Sequence, residues 1–401
     1  MGRRSAKSSG GFTLIELLVA LAVGTVIIGA AVQIFTQGMN ATFVVSQRAQ
    51  MQQDLRASSD LLFKDISLAG AGNLPPAGIA LPSGAGSVRP IYGFAPSCAV
   101  QNNCRPQPYP CSSAIVLPCI PTLFGLIPGW RLGVAVPGNI NPTDMITMVY
   151  TDSVFELPCY TIDSITAVAV VVQLPAVLPS TCAPPQPPPQ PVITNPITAG
   201  GLVTGDLVLV QSTVGGNSAM AVGEVTSVVL TGPNTYTIGF AAADPLLLNQ
   251  PAAAAGNLAQ LACAVGTCPP TATTTRIFVV TYYLWMMPDP LGVGVGTPTL
   301  MRQVNGQPTV PVQEGVANLQ FTYDTYDASG NLLNAVGDGG YSVGTSFNLI
   351  RKINLVHLTT RSQVAGVKSG LMLTNGYQTF DTQTSISARN LSYQNRYVLL
   401  P

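Results

Sequence analysis

The residues best equipped for covalent chemistry are eight cysteines. They fall in close successive pairs: Cys98 with Cys104, Cys111 with Cys119, Cys159 with Cys182, and Cys263 with Cys268. An even number of thiols set among Pro- and Gly-rich loops reads as a disulfide framework closed in an oxidising compartment such as the bacterial periplasm. Spacing alone leaves the connectivity open, and sequential pairing is the expectation. Zinc would need tight ligand pairs, and no Cys-x-x-Cys occurs anywhere in the chain. The single histidine, His357, stands far from all eight and lies in the apolar run Asn354-Leu-Val-His-Leu358, which reads as a sheet position. A histidine catalyst needs a partnered nucleophile and acid, and no such set is visible. Gly292-Val-Gly-Val-Gly296 lacks the spacing of a dinucleotide loop. Asp327-Ala-Ser-Gly-Asn331, followed by Asp338-Gly-Gly340, offers oxygens for calcium without the ordered acidic loop that binds it, and reads as a hairpin turn. The expectation is a non-enzyme with no cofactor and no metal.

One further residue raises a different chemistry. Met1 to Gly11 carry Arg3, Arg4 and Lys7 and no acid, and Phe12 to Phe35 follow with Glu16 as their only charge; the next is Arg48. A helix crosses a bilayer with about 20 apolar residues, so Phe12 to Phe35 suffices. The basic leader holds the N-terminus in the cytoplasm and sends the rest of the chain outward. A secretory signal has a shorter apolar core ending in small residues, and Ala20-Leu-Ala22 comes too early for that cut. Arg3-Arg4 matches a twin-arginine signal in two residues only. A plain signal anchor leaves Glu16 unexplained. A carboxylate at a membrane helix centre costs about 2.5–3.5 kcal/mol. The helix dipole and interfacial water near a helix start relieve part of that cost.

The run Gly11-Phe12-Thr13-Leu14-Ile15-Glu16, behind a basic leader, resembles the type IV prepilin signature. The resemblance implies that prepilin peptidase cuts after Gly11, that the new amine of Phe12 is N-methylated, and that Glu16 attracts the charged N-terminus of a neighbouring subunit during assembly. An ammonium–carboxylate pair is far stronger in a low dielectric than in water, and it hides a charge otherwise buried alone. Before cleavage Phe12 has no amine to offer, so the cut would act as an assembly switch.

These residues need a rod to carry them. Ser46 to Ile66 lack Pro and Gly, and Met51, Leu55, Leu62 and Ile66 form one apolar stripe. Gly70-Ala-Gly72-Asn73 and Pro75-Pro76 end the helix. Residues 12 to about 68 would make a rod of roughly 85 Å at 1.5 Å per residue.

Beyond it, composition points to strands. The 401 residues are 47% hydrophobic and 8% charged, with 39 Gly and 34 Pro, which favours many turns over a helical bundle. Strands are expected over Asp144–Tyr150, Ile165–Gln173, Asp206–Val210, Ala221–Leu230, Thr235–Phe240, Arg276–Met287, Ala317–Tyr326 and Ile350–Arg361. Ala183 to Pro191 reads as a polyproline II connector. Five segments are expected: leader 1–11, transmembrane half-helix 12–35, amphipathic half-helix 36–72, a Cys/Pro-rich region 73–191, and a β-rich head 192–401. The fold class is α+β, a long N-terminal helix packed on a mainly antiparallel sheet.

Landmarks in the head resemble the PilW family of minor pilins. They are Asp144 to Tyr150, Gly205 to Val210, Tyr282-Tyr283, Leu300-Met-Arg302, Glu314 to Gln320 with Tyr323-Asp324, Arg351 to Val356, and Arg389-Asn390-Leu391. That resemblance implies a minor pilin of a type IV pilus, held in the bacterial inner membrane by one span with its head in the periplasm, then carried to the pilus or cell surface. Its implied partners are prepilin peptidase, other minor and major pilins, and the inner-membrane assembly platform. The similar J-type pseudopilin of type II secretion is one alternative. Another is an adhesion or DNA-uptake module on a pilin anchor, although 17 basic and 17 acidic residues give no electrostatic footprint for nucleic acid.

Overall fold

The computed structural model describes residues 11–72, 74–75, 78–82, 88–93, 107–110, 122–129, 131, 133–137, 141–152, 160–173, 201–242, 244, 246, 248–250, 256–288, 296–326, 329–336, 349–361, 373–374, 377–388 and 390–391. The leader up to Gly10, Ala183–Pro191 and the Gly292–Val295 part of the glycine run lie outside them.

Helix α1 runs unbroken from Leu14 to Leu68, 55 residues or about 80 Å. It begins on a reciprocal cap: Thr13 and Glu16 satisfy each other's orphaned donors. Ala69 N–H closes the far end on the Ile66 carbonyl. Among the described residues, twenty strands follow. The first ten are β1 Ile79–Ala80, β2 Val88–Gly93, β3 Gln107–Pro110, β4 Thr122–Leu123, β5 Leu126–Gly129, β6 Met145–Thr151, β7 Thr161–Ile165, β8 Ala169–Gln173, β9 Leu207–Val214 and β10 Asn217–Glu224. Then come β11 Ser227–Gly232, β12 Thr235–Gly239, β13 Thr273–Met287, β14 Thr297–Val304, β15 Val310–Glu314, β16 Val316–Tyr326, β17 Leu332–Val336, β18 Ile350–Arg361, β19 Leu373–Thr374 and β20 Tyr377–Ser387.

Every pairing among these strands is antiparallel, as the turn-rich composition suggests. The largest sheet runs β10-β9-β13-β14-β15, with β6 and β5 added alongside β13. A second sheet has the order β17-β16-β18-β20-β19, and a third, of four strands, β11-β12-β8-β7. The chain passes from the first sheet to the second at Gly315, whose φ of +72° and closeness to the Arg361 carbonyl exclude a side chain.

The main core lies between α1 and the two larger sheets. Leu55, Leu62 and Ile66 of the expected stripe are buried there, packed with Ile146, Met148, Leu284, Leu300, Ile353 and Leu355. Each such side chain contributes about 1.5–3 kcal/mol by leaving water. A smaller core lies between the four-stranded sheet and β9 and β10, built on Val170, Val172, Val208, Val210, Tyr236, Ile238 and Phe240.

Most expected strands match in place, and Ile350–Arg361 matches at both ends. Two differ. Ile165–Gln173 is a hairpin rather than one strand: the Thr166 hydroxyl accepts from Val168 and Ala169 N–H groups and turns the chain between β7 and β8. Ala221–Leu230 divides between sheets, because Val225 N–H turns to the Asp206 carbonyl while Gly205 N–H takes the Val225 carbonyl. The Asp327–Asn331 region joins β16 to β17 as a hairpin, with residues 329–331 described and Asp338 outside the described residues.

Candidate functional site: the exposed helix and its junction with the head

Phe12 is 90% exposed at the start of the helix. Directly after it, Thr13 donates from its backbone N–H (3.0 Å) and hydroxyl (2.9 Å) to Glu16 Oε2, and its hydroxyl accepts from Glu16 N–H at 3.3 Å. Both donations fall on one carboxylate oxygen. The side chain is thereby held against the first turn of the helix.

From Leu14 to Phe35 the large apolar side chains are exposed, and the head covers none of this part of the helix. The helix is long and apolar enough there to cross a membrane. Val44 is the first buried residue, and continuous packing begins only at Leu55.

At the other end a buried ionic cluster fastens α1 to the head. Asp65 is 3% exposed. Its Oδ2 accepts from Arg302 Nε at 2.8 Å and from the Tyr282 hydroxyl at 2.7 Å, and its Oδ1 accepts from the Tyr150 hydroxyl at 3.3 Å. Burial, followed by the Asp65 charge, pushes the Tyr150 phenol up to about 12 and raises Tyr282 as well. Both phenols therefore stay protonated and donate. Ser58, also buried, donates to Gln313 Oε1 of β15. Tyr150, Tyr282 and Arg302 each belong to a landmark noted in the sequence, and the fold brings all three onto one helix carboxylate. Asp144, at the start of the same landmark as Tyr150, accepts from Arg131 N–H at 2.8 Å and Phe321 N–H at 2.9 Å, tying the two larger sheets together.

Asp65 itself escaped sequence reasoning, since an acid among the polar residues of an amphipathic helix, as Asp54 and Asp60 are, reads as solvated. The available signal was Tyr and Arg in strands otherwise built for a core. A second buried ionic group links Arg276 to Asp152 at 2.9 Å and to Asp206 at 3.4 Å.

Cys263 and Cys268 are joined in a disulfide, with Cα atoms 5.2 Å apart. Cys98, Cys104, Cys111, Cys119, Cys159 and Cys182 lie outside the described residues. His357 falls within β18, opposite Gln320 of β16 in the ladder. Among the described residues no three His, Cys, Asp or Glu side chains gather into a metal site.

Residues 6–32 match the family model described as the prokaryotic N-terminal methylation motif. No curated protein and no solved structure matches the chain. The motif supports a type IV pilin-like protein, a substrate of the pilin or pseudopilin kind that is processed by prepilin peptidase and assembled with other pilins. It points to a structural protein of the pilin type.

Proposed function

We propose that this protein is a minor pilin of a type IV pilus. It is stored in the bacterial inner membrane with its head in the periplasm, cut after Gly11, methylated at Phe12, and drawn into a growing fibre by Glu16. The observation that carries this reading is Glu16 itself, a carboxylate at the head of an apolar helix that the rest of the chain leaves uncovered. A charge in that position costs free energy unless a cation meets it. The amine released at Phe12 on a neighbouring subunit is such a cation, and the Thr13 cap keeps the carboxylate oriented toward that end of the helix.

The position in the fibre follows from proportion. Cleavage after Gly11 leaves 401 − 11 = 390 residues, of which α1 takes 55. A head so large crowds a repeating shaft and fits at its end, where a complex of minor pilins primes assembly on the membrane platform. The Cys263–Cys268 disulfide supports an exported, oxidised head. The same motif also serves type II secretion pseudopilins, which form a short periplasmic piston.

Electron microscopy with a head-specific label tests the reading. Label at fibre ends is expected. Uniform decoration along the shaft would remove the tip position, and label confined to the periplasm of secreting cells would favour the piston.

A further inference from the structure

Two arginines of the head, Arg276 and Arg302, are neutralised by carboxylates. Arg361 is treated differently. It ends β18 where α1 passes the ends of β15 and β18, and its backbone N–H donates to the Gly315 carbonyl at 2.7 Å. Its guanidinium lies over the Tyr377 ring, 4.4 Å from the centroid. Among the described residues that guanidinium has no ion pair and no hydrogen bond. Burial weakens its hold on its proton, and the Tyr377 phenol offsets part of the effect. A half-buried cation without an anion is costly, and an aromatic face returns only part of that cost.

Beside Arg361 a cavity of about 40 Å³ opens between α1 and the strand ends. Gln313, 5% exposed, lines it. The Gln313 Oε1 is taken by Ser58, and its Nε2 donates to nothing among the described residues. Gln47 lines the cavity from α1, and its Oε1 is buried with no partner among the described residues. Asp54 and Glu314, both exposed, complete the wall and carry no ion pair among the described residues. The volume holds about three water-sized groups. That suits the end of one side chain and is too small for a whole metabolite.

We propose that this cavity receives an Asp or Glu side chain from a neighbouring pilin of different sequence. Arg361 pairs with its carboxylate, and Gln313 Nε2 donates to the same group. A planar guanidinium fork matches a carboxylate, whereas the charges of Asp54 and Glu314 repel a doubly charged phosphate more strongly. A lipid headgroup cannot reach. Gln47 lies twelve residues past Phe35, about 18 Å along the rod, and the headgroup layer is roughly 5–8 Å deep. A second copy is also disfavoured, because an acid of one copy in the cavity of the next repeats without closing and would stack large heads in a row. The contact rests on the pilin reading above and names what a neighbouring subunit must present to the helix–head junction.

The test is a photo-crosslinker at Gln50, an exposed residue on the cavity wall, in the full chain in native membranes. The expected adduct joins a second pilin, with its attachment within two residues of an Asp or Glu. A reporter at Gln52, on the far side of α1, should miss that acid. Reversing the mapped acid to lysine in the partner, which leaves this chain intact, should cut the adduct about tenfold. Adding Arg361→Glu, with protease resistance as the folding check, should restore it; the partner-side reversal stands whether or not that variant folds. Attachment to lipid, to a second copy, or to a stretch without an acid would overturn the proposal. So would no adduct, an adduct untouched by the partner reversal, or a folded double reversal that fails to restore it. Cleavage after Gly11 is read from the same membranes. An uncut chain rejects the pilin reading itself, and a cut chain without the charge-dependent adduct rejects this contact alone.

Discussion

Asp65 of the helix and Arg302 of the head meet at 2.8 Å across 237 residues of sequence. This contact fixes where a rod built for a membrane stops being free and becomes part of a folded domain. The helix N-terminal to Val44 is exposed, and from Leu55 onward one face of it is buried against the head.

Removing the Asp65 carboxylate should loosen that joint about as much as an apolar truncation in the stripe. Asp65→Ala leaves the Arg302 guanidinium and two phenols facing a void, and breaking a buried pair from one side costs about 3–5 kcal/mol. Arg302 keeps some solvent, at 27% side-chain exposure, which places the loss toward the lower figure. Asp65→Asn retains acceptor capacity and should cost less. Thermal unfolding of the three proteins side by side checks the order parent, Asn, Ala.

At the opposite end, the Glu16 carboxylate is surface-exposed in the isolated chain. Glu16→Ala should therefore leave membrane insertion and cleavage near parental levels while incorporation into fibres falls severely. Immunoblots of membranes and sheared fibres read the two steps separately. Equal recovery of variant and parent in the fibre fraction would reject the pairing role.

A buried carboxyl far from either end gives the head a pH dependence. Glu224 is 3% exposed, and burial, followed by the nearby Asp244 charge, pushes it from 4.5 up to about 7. The folded state then holds a proton that the unfolded chain releases between those values, so stability is full below about pH 4.5 and declines as pH rises toward 7. The total is at most about 3 kcal/mol. Denaturant midpoints at pH 5 and pH 7.5 should show the fall, and Glu224→Gln should flatten it.

Backbone shape matters most just after the helix. Gly72 adopts φ +89°, and a Cβ there would lie 1.7 Å from Thr151 Oγ1, where Thr151 also bonds to the Ala71 carbonyl. Gly72→Ala should cost about 2 kcal/mol or more, combining backbone strain with a clash. Gly38→Ala, on the free helix with nothing within 4 Å of the added carbon, should leave head stability unchanged. Urea unfolding distinguishes the two.

What could be read in the sequence was what local physics decides. The leader charge and the apolar run locate the helix start to within two residues, at Phe12 where the helix begins at Leu14, because an apolar run of membrane length is a local signal. Long β-branched runs locate β13, β16 and β18. What escaped was decided at a distance. Residues 221–230 read as one strand, yet Val225 is drawn aside by Asp206 and the segment serves two sheets. The stripe of Leu55, Leu62 and Ile66 describes half of the buried helix surface. Ser58, Ser59 and Asp65 extend it around the rod, because two sheets rather than one embrace it. No periodicity of apolar residues reports a buried acid whose partners lie 85 to 237 residues away.

The most direct test is the N-terminus of the protein recovered from membranes and fibres, read by intact mass and sequencing. The account predicts a chain that begins at N-methylated Phe12 in fibres, and a precursor longer by the leader where prepilin peptidase is absent. A fibre-borne protein that still begins at Met1, or one cut anywhere C-terminal to Glu16, would contradict it.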